Sequence, residues 1–220
     1  MTVDQARLVE QIVREYMVMS DAKLKDNYQE ALEELAQIRS ISLRYALQDY
    51  DRLIQQAAKS LEKEVQLVVE GDDVKLDPEI FRPFLQNLGH VFRNGVDHGI
   101  EDPETRYDAG KDEFGTITCQ VTHTETGFDL EISDNGGGIN IDALRNKAAR
   151  MGESDTSAWT LADLVFADGV SSRDVATDLS GRGVGMSAVR AEVEKLGGEV
   201  TVDTHLKQGT TFVFKVPVNG

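Results

Sequence analysis

The sequence predicts an α+β fold, a helical hairpin followed by an α/β sandwich with a mixed, mostly antiparallel sheet. Three observations predict it. Apolar residues recur at helical spacing through the first third of the chain. Runs of period two then appear at 65–70, 115–121, 127–133, 199–204 and 210–216. Between them lie amphipathic stretches of helical length, so the helices are expected to cover one face of the sheet.

In chain order, Leu8, Val9, Ile12, Val13, Tyr16 and Met17 mark a first helix, capped at Thr2 or Asp4. Ser20-Asp21 and Lys25-Asp26-Asn27 interrupt the stripe, which places the hairpin turn there. The second, longer helix carries Leu43, Leu47, Tyr50, Ile54, Ala57 and Leu61, alternating steps of four and three that form a heptad seam. Such a seam either joins a second copy in a four-helix bundle or packs on the following domain. Heptad regularity favours the dimer. Residues 1–62 are thus expected as a dimerisation hairpin and 63–220 as the second domain.

After Val65 come a strand, the turn Gly71-Asp72-Asp73, and a helix opened by Asp77-Pro78 with Phe81, Phe84, Leu85, Leu88, Val91 and Phe92 on its apolar face. A hairpin turns at 123–126, a helix covers 141–151, and a loop-rich stretch with a short helix runs to Ser180. Met186 to Lys195 is helical and stops at Gly197-Gly198, before two closing strands.

The chain has 220 residues and a formal charge of -16 from 39 acidic and 23 basic residues, which argues against nucleic acid as a partner. A phosphate ligand would need backbone N–H groups, a metal or a few placed cations. The single cysteine, Cys119, lies in the alternating run 116–121 and reads as a strand residue. With no apolar run near the ~20 residues that span a bilayer and no signal-peptide pattern, membrane insertion is not expected and the protein reads as cytoplasmic.

Three clusters carry chemistry. His90, Asn94 and His98 stand on one helix face at i, i+4, i+8, and the Asn carbonyl suits a hard cation already bound to phosphates. Gly95 inside that helix points to a close approach. Asp134-Asn135-Gly136-Gly137-Gly138-Ile139 follows a strand, so its carboxylate could accept an amino N–H while the glycines let backbone pass under a ring. A plain glycine turn is the alternative there. Gly181-Arg182-Gly183-Val184-Gly185-Met186 precedes a helix and offers successive N–H groups to an anion. It is neither a P-loop nor a Rossmann fingerprint.

Taken in this order, the clusters resemble the GHKL (Bergerat) ATP-binding superfamily of histidine kinases and gyrase-type ATPases. Residues 90–101 (HVFRNGVDHGIE) are similar to the corresponding box of the chemotaxis kinase CheA family, as are Pro103 to Arg106, Gly110-Lys111, Gly169 to Ser172, the 180–186 glycine box and Gly209-Thr210-Thr211. Asn135 and Gly95 depart from the commoner Asp and Ala of that family.

The resemblance implies an ATP-dependent protein histidine kinase module with ATP and Mg²⁺ as ligands. Asn94 would hold the metal, with His90 beside it as the other catalytic candidate. Asp134 would accept the adenine amino group over a floor shaped by Gly138, and Lys147 could reach a phosphate. Gly181, Gly183, Val184 and Gly185 would bind the triphosphate with help from Arg182. His98, Gly136, Ile139, Ser171, Ser172, Met186 and Thr210 complete the expected contacts. Residues 152–179 would form an ATP lid hinged on Phe166 and Val170.

Residues 1–89 contain no histidine, so the phosphoacceptor is expected on a histidine-containing phosphotransfer domain or protein in trans, with a response regulator downstream. Since few residues follow Pro217, no receptor-coupling domain is expected within these 220 residues. Two other readings are a non-enzymatic docking dimer with a vestigial pocket and a GHKL ATPase or anti-sigma-type serine kinase. The latter enzymes carry a Glu before the Asn, where this chain has Gly89 and His90.

Overall fold

A computed structural model describes residues 39–151, 158–167 and 185–218, together with Arg7, Gln11 and Arg14. The expected hairpin turn and the apolar positions of the first helix lie outside the described residues, although Arg7, Gln11 and Arg14 are helical and exposed.

The sandwich is built on a five-stranded sheet of β2 (Val65–Gly71), β4 (Gly115–His123), β5 (Gly127–Asp134), β6 (Glu199–His205) and β7 (Gly209–Pro217). Their spatial order is β2-β4-β5-β7-β6. The sheet is mixed because β2 runs parallel to β4, while the other three pairings are antiparallel. Period-two burial follows the sequence pattern closely. Ile117, Cys119 and Val121 of β4 and Phe128, Leu130 and Ile132 of β5 are buried, while Glu131 on the other face is exposed.

Helix α3 (Pro78–Asn94) lies across the buried face. Asp77 caps it by accepting from the Glu79 amide at 2.7 Å, and Pro78 occupies the first turn, where its missing N–H costs nothing. Its apolar stripe meets the sheet through the edge-on pair Phe84–Phe214 and the tilted pair Phe81–Phe128. Helix α7 (Met186–Lys195) buries Met186, Val189 and Val193 in the same core. Helix α6 (Leu161–Phe166) starts from a Thr160–Asp163 capping box and sets Phe166 edge-on against Phe212.

The heptad seam has a different fate from the dimer expectation. The expected long helix is interrupted at Asp49–Tyr50, between α1 (Leu43–Gln48) and α2 (Asp51–Ser60). Before α1, β1 (Ile41–Ser42) pairs with β3 (Lys75–Leu76), tying this segment to the sandwich. Leu43, Leu47, Ile54 and Ala58 belong to the common core, and Tyr50 stacks on Phe92 and donates to the Leu85 carbonyl. Between Leu43 and Ala58 the seam is therefore used intramolecularly, which was the alternative to pairing with a second copy. A buried apolar stripe looks the same in sequence whichever surface covers it. Among the described residues, 43–58 therefore share one core with the sandwich.

Truncating Leu47, fully buried at 0% exposure, to Ala is expected to cost ~2–5 kcal/mol of folding stability. Urea unfolding at two protein concentrations checks this. A destabilisation independent of concentration is the outcome expected of an intramolecular contact.

Candidate nucleotide site

Beneath the end of α3, a cavity of about 340 Å³ opens between the helical layer and the sheet. Its volume suits a small ligand. Asn94, Gly95, His98 and Gly99 line it from the helix side, Asp134 and Thr210 from the ends of β5 and β7, and Gly138 and Ile139 from the loop after β5. Lys147 reaches it from α5 (Ile141–Arg150).

The α-helix gives way at Gly95 to a π-helical turn, Gly95–Gly99, closed by the Ile100 amide on the Gly95 carbonyl at 2.7 Å. This wider turn follows Asn94 directly and carries His98. The close approach expected at Gly95 is made by the sheet: a Cβ there would lie 3.3 Å from Ile117 Cδ1.

Asp134 is the carboxylate of the cavity. It accepts the Gly136 amide at 2.9 Å and a backbone hydrogen bond from Thr210. Burial nevertheless dominates and pushes its pKa up to about 6. Thr204 joins the same corner, accepting the Ile139 amide at 2.8 Å and lying 3.0 Å from the Thr210 hydroxyl.

The loop after β5 is tightly fixed. A Cβ on Gly136 would fall 2.0 Å from the Gly99 carbonyl oxygen, so only glycine fits that crossing. Gly138 takes φ +71 and would bring a Cβ within 2.3 Å of the His205 carbonyl oxygen. Gly137 donates to Gly99 and accepts from the Lys207 amide, both at 2.8 Å.

Behind the loop sits a charged knot. Arg106, on α4 (Pro103–Asp108), is 1% exposed. It donates to Glu101 Oε2 at 3.1 Å and to the carbonyls of Asp112, Phe114 and Asn135 at 2.8, 2.9 and 3.3 Å. Lys111 donates to Glu101 Oε1 at 2.6 Å and to the Asn135 and Gly136 carbonyls at 3.1 and 2.7 Å. Burial alone would raise the Glu101 pKa, but the Lys111 hydrogen bond and the two cations hold it below the usual range. Asn135 turns its side chain to β4, accepting the Thr116 amide at 2.8 Å, so the departure from Asp at this position falls on a structural contact.

Of the expected site residues, Asn94, His98, Asp134, Gly138, Ile139, Lys147 and Thr210 line one cavity. Gly136 acts behind it, through Asp134. His90 is half-buried one turn before Asn94 and is not among the lining residues; burial, then the Arg93 charge, lowers its pKa. The Met186 side chain is 1% exposed within the core, not in the cavity, because it starts the apolar face of α7. Gly185 stands just before that helix. Ser171, Ser172, Gly181, Arg182, Gly183 and Val184, with most of the expected lid and Val170, lie outside the described residues.

Sequence reasoning did not anticipate Asn140, Ala143, Leu144, Val165 or Phe212 in the lining. Leu144 could have been found from its helical spacing with Asn140 and Lys147. Val165 and Phe212 looked like ordinary core residues.

Among the described residues no cluster of three or more His, Cys, Asp or Glu could cage a metal. An Asn side-chain oxygen in the lining, that of Asn94, is of the type that suits Mg²⁺ carried by phosphates, which needs only one or two protein oxygens.

Replacing Arg106 by Met should lower stability by roughly 3–5 kcal/mol, since buried acceptors on three segments would lose their donor. Chemical denaturation measures this, and a change below about 1 kcal/mol would contradict the role given to the knot.

Residues 85–220 match the family of histidine kinase-, DNA gyrase B- and HSP90-like ATPases. The chain is 38% identical to the chemotaxis protein CheA of Halobacterium salinarum, across 96% of its own length and 34% of that protein. It is 33% identical to the Klebsiella aerogenes CheA, across 92% of this chain and 31% of that one. It thus spans about one third of the length of these curated relatives. A histidine kinase domain from a blue-light activated kinase of Erythrobacter litoralis aligns at TM-score 0.49 and 13% identity, covering 97% of this chain and 85% of that domain. With more than half of its residues matched by the family model, the chain belongs to the histidine kinase-, DNA gyrase B- and HSP90-like ATPase family.

Proposed function

We propose that this chain is the ATP-binding catalytic module of a CheA-type protein histidine kinase, passing the γ-phosphoryl group of ATP to a histidine on a phosphotransfer domain or protein, with a response regulator downstream. The observation that carries the reading is the convergence of Asn94, Asp134, Lys147 and Thr210 on one cavity beside the π-helical turn. Similarity to CheA along nearly the whole chain supports the histidine acceptor. Residues 1–89 contain no histidine, so the acceptor is proposed outside them.

In this reading the protein positions the nucleotide and balances its charge, as phosphoryl transfer requires. Asp134 accepts the adenine amino group, Thr210 and Ile139 border the ring, and Lys147 meets a phosphate. Asn94 offers its carbonyl oxygen to Mg²⁺. The metal would neutralise charge on the phosphates. The backbone of 181–185 is proposed to complete the phosphate site, with Ser171 and Ser172 on the lid side.

His90, its pKa lowered by burial and the neighbouring Arg93, is proposed to orient the incoming acceptor or the metal-bound phosphates. A hydrolytic ATPase is a poorer fit, because α3 carries His90 and no carboxylate one turn before Asn94. Dimerisation is proposed for the N-terminal helical segment, through surfaces other than the seam already buried between Leu43 and Ala58. No helix among the described residues is long and apolar enough to cross a membrane.

Calorimetric titration of ATP with and without Mg²⁺, on wild type, Asn94→Ala and Asp134→Ala, tests the site. Binding is expected in wild type, to weaken without Mg²⁺ and to fall at least about tenfold in each variant, the scale of one lost polar contact in a buried site. Labelled phosphate should then appear on a histidine phosphotransfer domain. A folded wild type that binds no ATP overturns the reading.

A pH series adds a second check. Since the ionised Asp134 carboxylate is the stronger acceptor for the amino group, ATP affinity should fall as pH drops through about 6. In Asp134→Asn that step should vanish, because no proton is taken up at this position.

A further inference from the structure

Lys63 lies outside the cavity and outside every motif, yet it touches the helix that carries the site. The end of α2 fixes its backbone. Glu62 adopts φ 55, and the amides of Leu61 and Lys63 both return to the Ala58 carbonyl at 3.0 Å, a left-handed helix cap. From there the half-buried side chain donates from Nζ to the Val96 carbonyl at 2.7 Å and to the Asp97 carbonyl at 3.1 Å.

Those two carbonyls belong to the π-helical turn Gly95–Gly99, flanked by the cavity residues Asn94 and His98. The chain becomes extended at Ile100, with ψ 130, which carries the following amides out of reach of the last carbonyls. An ammonium group at this end satisfies both and meets the negative end of the helix dipole. The far side of the contact is equally fixed. Ile54 and Ala58 of α2 are buried, and a Cβ on Gly89 of α3 would lie 3.5 Å from Tyr50 and 3.7 Å from Leu53.

We infer that Lys63 is a positioning residue for Asn94: by holding the Val96 and Asp97 carbonyls, it keeps the π-helical turn in the form that presents Asn94 to the cavity and ties that turn to α2. This rests on the kinase reading only in naming Mg²⁺–ATP as what Asn94 meets.

The test uses Lys63→Met, which keeps the aliphatic stem and removes the donors, with Lys63→Gln as the second such variant and Lys63→Arg as the conservative one. In nucleotide-free protein, exchange of the Ile100 amide is expected to accelerate roughly tenfold or more in Lys63→Met, while β4 and β5 amides keep their protection. Affinity for ATP with Mg²⁺ should fall about tenfold, the scale of lost support behind a metal ligand, and change little without Mg²⁺. Lys63→Arg should restore both.

Unchanged Ile100 exchange in folded Met and Gln variants overturns the inference. Loss of protection throughout the sheet, or equal loss of affinity with and without Mg²⁺, also overturns it and marks a general stabilising contact. Exchange is read without nucleotide, so failure of wild type to bind ATP would sink the kinase reading, while the Ile100 exchange rates would still decide whether Lys63 holds the turn.

Discussion

The guanidinium of Arg106 joins the end of the β4–β5 pair to the segment just past the π-helical turn. It binds the carbonyls of Asp112 and Phe114 leading into β4, the carbonyl of Asn135 leaving β5, and the Glu101 carboxylate just past the π-helical turn. Lys111 closes the same knot from a second direction. A buried arginine is tolerable only when its donors are matched and its charge paired, and both conditions are met here. The geometry of the cavity depends on this contact. It holds the loop carrying Asp134 and Gly138 against the end of the helix carrying Asn94, so the two halves of the site cannot drift apart independently.

Asp134 shows what such rigidity permits. A carboxylate in this setting is pushed up to about 6 by burial, so its ionised form at neutral pH costs folding free energy. The sign follows from linkage: the folded state holds a proton here that the unfolded state has released between the ordinary carboxylate pKa and about 6. Asp134 therefore weakens the fold as pH rises through that window, and the penalty persists above it. Two backbone donors reduce the penalty without removing it. An acceptor kept at the bottom of a cavity against its own solvation preference is a reason to look for function there.

The segment from Ile41 to Ser60 looks like a module in the sequence and shares the core of the sandwich. Its strand pairs with β3, Tyr50 stacks on Phe92, and α2 ends in a cap that places Lys63 under the π-helical turn. Any displacement of α2 must consequently disturb contacts that end two residues from Asn94.

Two kinds of information were legible in the residues alone. Periodicity of two or of about 3.6 told strand from helix, because side-chain direction repeats with those periods wherever one face is buried. The glycine box after β5 and the polar residue at its head marked the cavity, because close backbone passage at Gly136 and the positive φ at Gly138 admit no other residue without strain. Other features were decided only by the tertiary structure. The interruption at Asp49–Tyr50, the intramolecular use of the seam, the place of Leu144, Val165 and Phe212 in the cavity wall, and the Arg106 knot depend on which surfaces meet. An apolar stripe states that it will be covered and a cation that it will be paired. Neither states by what, because that choice is made by contacts between residues far apart in the chain.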